Sequence, residues 1–123
     1  MNITIEIPNI QYFIRAYRPG EITVNNDIYT KSLIISPQKL IPDWQPQSLA
    51  DLTAETLAAL IAEKPELILL GSGLKHQFPP SSLLIPLYQA HIGLEIMSTE
   101  AACRTYNLLA DEGRKVLAAL LIR

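Results

Sequence analysis

The chain has 123 residues, of which 49% are hydrophobic and 18% are charged, a composition that excludes intrinsic disorder. This length predicts a single domain, residues 1–123, with one continuous core. The net charge of −2 gives no electrostatic attraction to nucleic acid. A single cysteine excludes an intramolecular disulfide and a multi-thiolate metal site.

The sequence has no pattern of a targeting or membrane-spanning segment. Residues Met1 to Ile10 contain no Lys or Arg and no apolar run of signal-peptide length. The longest nearly apolar stretch, Glu66 to Leu74, is far shorter than the roughly 20 residues that cross a bilayer. We therefore expect a cytoplasmic protein without a membrane span, whose Cys103 remains a free thiol in a reducing compartment.

The first half of the chain predicts short strands joined by turns. The predicted strand segments are residues 11–17, 21–24, 28–30 and 32–35. Pro19-Gly20 and Asn25-Asn26-Asp27 are turn sequences, because Pro fixes φ while Gly, Asn and Asp tolerate positive φ. Residues 36–48 contain three prolines and predict an extended connection, which Trp44 holds against the domain.

The second half predicts three helices that alternate with three strands. The predicted helices are residues 53–64, 81–90 and 98–112, and the predicted strands are 66–70, 92–97 and 116–122. Pro65 ends the first helix, Pro86 predicts an irregular start of the second, and Gly113 predicts a left-handed residue after the third. The apolar sequences LILL and VLAALLI are typical of strands covered on both faces. Strand–helix–strand units with right-handed crossovers therefore predict an α/β fold, with helices packed on a mixed sheet and a small antiparallel hairpin layer from the N-terminal half.

A glycine-rich turn is the first candidate ligand site. Gly71-Ser72-Gly73 follows a predicted strand, where open α/β sheets bind ligands and where free N–H groups can hold an anion. Lys75 and His76 would add a positive charge and a hydrogen-bond donor. The sequence is neither a dinucleotide fingerprint nor a P-loop, because Leu, Lys and His follow Gly73. A tight turn without a ligand, followed by solvated side chains, explains the same residues.

The last predicted helix contains the second candidate group. Cys103 and Asn107 share one face, and Arg104 lies beside the cysteine. A thiolate nucleophile would require His76 or His91 as its base, whereas a lone cysteine is more commonly a small buried apolar residue. Arg104 and Asn107 fit either a binding role or a solvated helix face. These residues do not form a complete catalytic constellation, and neither His-x-x-x-His nor Asp-rich spacing indicates a metal, so we predict no catalytic residue, metal or cofactor.

Nearly the whole chain resembles a known family. The resemblance is carried by GSGLKHQFPP from Gly71, by IGLEIMSTEAACRTYNLLADEGRKVLAALLI from Ile92, and by ITVN and SLIISP in the first half. These segments resemble the Mth-like domain family of unknown activity, which includes a mitochondrial complex I assembly factor and an adipogenesis-associated cytosolic protein. The resemblance implies a three-layer α/β fold around a central mixed sheet and supplies no reaction. Because no leader precedes the matched segments, a bacterial or cytosolic relative is expected.

Two functional hypotheses follow. The first is a non-catalytic binding or assembly module that contacts a protein partner through Phe78, which stands before Pro79 and Pro80. The alternative is a small-molecule or anion site at the glycine turn facing the Cys103 helix, with an enzymatic role left open. The residues of that alternative site are Gly71, Ser72, Gly73, Lys75, His76, Cys103, Arg104 and Asn107. Partner identity and oligomeric state are open.

Overall fold

The structure is a computed structural model that describes residues 9–123. The elements in chain order are β1 (Ile14–Arg18), β2 (Glu21–Val24), β3 (Asp27–Tyr29), β4 (Leu33–Ser36), β5 (Lys39–Ile41), α1 (Ala54–Ala62), β6 (Leu67–Gly71), α2 (Ile85–Gln89), β7 (Gly93–Met97), α3 (Thr99–Asp111) and β8 (Val116–Leu120). Short 3₁₀ helices at Leu49–Asp51 and Ser81–Leu84 precede α1 and α2. The predicted alternation of helices and strands in the second half is confirmed.

The strands form two sheets. β1, β2 and β3 form an antiparallel sheet in that order, which is the predicted hairpin layer. The other sheet has the order β5-β4-β8-β6-β7. Within it β4 is antiparallel to β5 and β8, whereas β6 is parallel to β7 and β8. This is the predicted mixed sheet.

Both faces of the five-stranded sheet are covered, which gives three layers. Val116, Ala118 and Leu120 of β8 pack with α3 and the three-stranded sheet. The alternate residues of the same strand pack with α1, α2 and Trp44 on the opposite face. Because each fully buried Leu, Ile or Val contributes about 1.5–3 kcal/mol, the apolar sequence of β8 stabilises two cores at once. No helix within residues 9–123 has both the length and the apolar character that crossing a membrane requires.

Local sequence signals set the helix ends as expected. The Thr53 side chain accepts a hydrogen bond from the Thr56 N–H at the start of α1, and Ser98 does the same for Ala101 at the start of α3. Gly113 follows α3 with φ 79°. The irregular start predicted for the second helix is the 3₁₀ turn that leads into α2.

The prediction of an extended connection over residues 36–48 agrees with residues 42–48, which form no helix or strand, and was wrong for β5. A turn at residues 37–38 leads into β5, which pairs with β4. Strand pairing is possible here because Pro37 lies in the turn and Pro42 follows the strand, so neither removes an N–H from the ladder. Trp44 is buried and its N–H donates to Ser32 O at 2.7 Å, so its predicted docking is confirmed.

Candidate functional site

The glycine turn is packed against α3 and the end of the chain. The Ser72 N–H donates to Met97 O at 2.8 Å, and the Gly73 N–H donates to Thr99 Oγ1 at 2.9 Å. Gly73 has φ 101°, and a Cβ there would collide with the carbonyl oxygen of Arg123. Close packing therefore explains the glycine, and the two N–H groups expected to hold an anion already have protein acceptors.

Two buried hydroxyl groups hold this region together. Ser72 Oγ donates to Lys75 O at 2.7 Å and accepts from the Gln77 N–H at 3.1 Å. Thr99 Oγ1 donates to Leu121 O at 2.6 Å. Ser72 thus fixes the start of the segment that leaves β6, and Thr99 joins α3 to the end of β8. No local sequence pattern marks Thr99 for this role, because its acceptor Leu121 O is 22 residues away in the chain.

Lys75, His76 and Phe78 are exposed on the segment that leaves β6. The imidazole of His76 lies against the ring of Phe78, with ring centroids 4.8 Å apart and planes inclined by 47°. Phe78 remains 67% exposed, whereas the neighbouring Pro79 is buried. The structure therefore presents an aromatic side chain to solvent from a segment that is fixed on both sides of it.

Cys103 is enclosed by the core between α3 and the sheets. The residue is 3% exposed, and burial, reinforced by the negative charge of Glu100, raises the pKa of its thiol to about 12. The thiol is therefore protonated at neutral pH and has no nucleophilic character. Among the described residues, no hydrogen bond joins Cys103 to His76 or His91, and both imidazoles are exposed.

The polar residues of α3 have separate structural roles. Arg104 Nη1 lies 3.1 Å from Glu100 Oε1 in an exposed pair one turn apart. The Asn107 amide contacts the backbone of Ile14 twice, accepting from its N–H at 3.0 Å and donating to its carbonyl oxygen at 2.7 Å. Tyr106 Oη donates to Tyr12 O at 2.8 Å. Asn107 and Tyr106 therefore dock the N-terminal sheet on α3.

The structure places the eight residues of the alternative site in different parts of the fold. The glycine turn contacts the first residue of α3, whereas Asn107 lies eight residues later, about 12 Å along the helix axis. Cys103 faces the core, Arg104 faces solvent, and Lys75 and His76 lie on the exposed segment after β6. The residues of the alternative site therefore lie in separate environments: the core, the exposed segment after β6 and two faces of α3.

A surface cleft of about 520 Å³ lies elsewhere, at the end of the sheet where β6 and β8 begin. Its walls are the β4–β5 turn and the loops before β6 and β8, and none of the predicted site residues lines it. Ligands of open α/β sheets bind at the opposite, carboxyl ends of the strands. Within residues 9–123, His, Cys, Asp and Glu do not form a group of three or more that could hold a metal ion.

Exposed apolar side chains are concentrated between β6 and β7. We call residues 72–92 the β6–β7 connection. Seven large hydrophobic side chains of the described residues are exposed, and four of them belong to this connection. These four are at least 50% exposed: Leu74, Phe78, Ile85 and Tyr88. A contiguous exposed apolar patch is typical of an interaction surface, whereas exposed residues that stand singly need no such explanation, so this connection is the first segment to test for binding.

Comparison with known proteins agrees with the fold and gives it a family. The family described as "Protein of unknown function (DUF498/DUF598)" matches residues 14–121. A solution structure from Bordetella pertussis, described as an Mth938-like domain, is 30% identical. Its superposition on this chain has a TM-score of 0.79 and covers 98% of this chain and 92% of the Bordetella chain.

Two relatives have names that refer to a function or location. The rat protein NADH dehydrogenase (ubiquinone) 1 alpha subcomplex assembly factor 3 is 31% identical over 94% of this chain, which spans 63% of the rat protein's length. The "13 kDa major membrane protein" of Francisella tularensis is 28% identical over 97% of this chain and 99% of its own length. The predicted family resemblance is confirmed: the chain belongs to the DUF498/DUF598 family, whose members include Mth938-like domains.

Proposed function

We propose that this chain is a non-catalytic protein-binding module with an assembly role, and that its partner contacts the β6–β7 connection around Phe78. The observation that carries the proposal is the concentration of exposed apolar side chains in this connection. Buried aromatic side chains contribute much of the binding energy at protein interfaces, and Phe78 is the most exposed large hydrophobic residue of the described chain.

The connection is held in place before a partner arrives. Ser72 Oγ donates to Lys75 O and accepts from the Gln77 N–H, so its two bonds lie on either side of His76. Pro79 is buried directly after Phe78. The His76 ring limits the orientations of the Phe78 ring. A surface that is ordered in advance loses less conformational entropy on binding, which favours affinity.

The name of the rat relative supports an assembly role, since an assembly factor acts by contacting other proteins. The shared region is 63% of the rat protein. We extend to this chain the protein-binding character alone and leave the identity of the assembled complex to experiment.

A cytoplasmic location is part of the proposal. The fold buries its single cysteine as a free thiol and needs no disulfide, which suits a reducing compartment. Cell fractionation tests the location. Recovery in the soluble fraction is expected, whereas retention on membranes after a carbonate wash would contradict it.

The test of function is affinity capture with matched variants. Phe78→Glu places a charge on the proposed surface, and Leu108→Glu places the same charge at an exposed apolar position on α3. Proteins captured from the source cells by the wild type should be retained by Leu108→Glu and lost with Phe78→Glu. Equal capture by both variants would contradict the proposed surface, provided that both show the wild-type thermal unfolding midpoint.

A further inference from the structure

The outer strands of the two sheets differ in how they are protected against pairing. β5 has three residues, lies between Pro37 and Pro42, and carries Lys39. β3 is equally short. β1 is irregular in register, and both backbone groups of Ile14 bond to the Asn107 side chain. Short length, proline, lysine and irregular register are the usual protections of an edge strand.

β7 lacks these features. It has five residues without Pro or Lys, and its parallel register with β6 is regular from Gly93 to Met97. Among residues 9–123, no strand pairs with its outer side. A regular strand of this length, whose one charged side chain is Glu95, is a template for the addition of a strand that complements that charge.

The hydrogen bonds show which backbone groups of β7 face outward. The Gly93 N–H donates to Glu66 O at 3.2 Å, and Met97 O accepts from the Ser72 N–H at 2.8 Å. Because alternate residues of a parallel strand bond to the same neighbour, Gly93, Glu95 and Met97 face β6. The N–H and C=O groups of Leu94 and Ile96 therefore point away from the sheet.

The side chains of β7 specify what an added strand would carry. Leu94 and Ile96 are half-buried on the face covered by α1 and α2, so residues beside them would be apolar. Glu95 lies between them on the opposite face and is exposed, so the residue beside it would be a cation. Glu95 also disfavours a second copy, because antiparallel self-pairing centred on β7 would place two glutamates opposite each other.

We propose that the outer edge of β7 binds an extended segment of the partner protein with an apolar–basic–apolar pattern. This inference rests on the proposed function and defines the form of the partner. The added strand would bond to Leu94 and Ile96 through its backbone and would lie beside α2, which packs against β7 and carries the exposed Ile85 and Tyr88. Because Ile85 and Tyr88 belong to the β6–β7 connection, the partner would contact both this connection and the edge of β7.

The test uses two synthetic peptides long enough to span β7, one of alternating valine and lysine and one of alternating valine and glutamate. In a two-dimensional NMR titration at low salt, the lysine peptide should shift the amide signals of Leu94 and Ile96 in a saturable manner and slow their hydrogen exchange. Glu95→Lys should weaken this binding about five-fold and reverse the preference toward the glutamate peptide. Glu112→Lys, at the end of α3, makes the same charge change away from β7 and should leave the binding unchanged.

Three results would overturn the inference: no saturable shift at β7, equal binding of the two peptides, or a dimer that Glu95→Lys disrupts. The outcome is separable from that of the capture experiment. Phe78-dependent capture without a response at β7 would retain the proposed function and refute strand addition. A response at β7 without dependence of capture on Phe78 would refute the Phe78 surface alone.

Discussion

The Asn107 amide is predicted to stabilise the junction between α3 and the three-stranded sheet, and Asn107→Ala measures its contribution. The substitution removes two hydrogen bonds, of 3.0 and 2.7 Å, and leaves the N–H and C=O of Ile14 without partners in a partly buried setting. Each bond contributes about 0.5–1.5 kcal/mol net, so the expected cost is about 2 kcal/mol. For a chain of this size the unfolding midpoint should fall by about 8 °C.

Urea unfolding followed by far-ultraviolet circular dichroism gives the free energy difference directly. Arg104→Ala is the control on the same helix, because it removes only an exposed ion pair and should cost less than about 0.5 kcal/mol. If the two variants had equal stability, the Asn107 contact would contribute nothing and the reasoning about this junction would fail.

Four further predictions concern buried groups near α3. Cys103 should react with a thiol reagent at neutral pH only when urea unfolds the chain, and rapid labelling of the native protein would contradict its burial. The native pKa of this thiol is about 12 against 9.0 ordinarily, so its contribution to stability is complete below pH 9 and is lost as pH rises toward 12. Cys103→Ala should therefore lose less stability than the wild type between pH 9 and pH 12. The same dependence of the urea unfolding midpoint on pH in both proteins would contradict this. Gly73→Ala should lower the free energy of unfolding by about 2 kcal/mol more than Gly20→Ala, as measured by thermal unfolding. Both glycines have positive φ, but only Gly73 lies against Arg123. Equal losses of stability would contradict this packing. Thr99→Val should lower the free energy of unfolding in urea by about 2 kcal/mol, because the Thr99 hydroxyl is the hydrogen-bond partner of two buried backbone groups. Unchanged stability would show that these two backbone groups find other partners.

The central strands β6 and β8 could be predicted from their own sequences, without knowledge of what packs on them. β6 and β8 are apolar at consecutive positions and only five residues long, which is typical of strands covered on both faces. The ends of α1 and α3 followed from Thr53, Ser98 and Gly113, whose effects are local. β5 was missed because the three prolines of residues 36–48 exclude a helix and predicted an unpaired extended segment, although an edge strand tolerates proline at its ends.

The interpretation of Asn107 depended on a contact that no local pattern contains. Its partner Ile14 is 93 residues away. The contact between Thr99 and Leu121 also lies outside any local pattern, because these residues are 22 positions apart. A polar residue on an amphipathic helix predicts a surface position, and whether that surface meets solvent, a ligand or another sheet is decided by the fold. Phe78 remains a prediction as a partner-binding residue, since exposure alone does not identify what binds.

The most direct test of the proposed function is the affinity of a purified partner recovered by capture, measured by isothermal titration calorimetry with the wild type, Phe78→Glu and Leu108→Glu. We predict at least about ten-fold weaker binding for Phe78→Glu, which corresponds to the loss of about 1.4 kcal/mol or more at a hot-spot residue. Leu108→Glu should bind as the wild type does. Equal affinity of all three proteins would contradict the claim that this chain binds its partner through the β6–β7 connection.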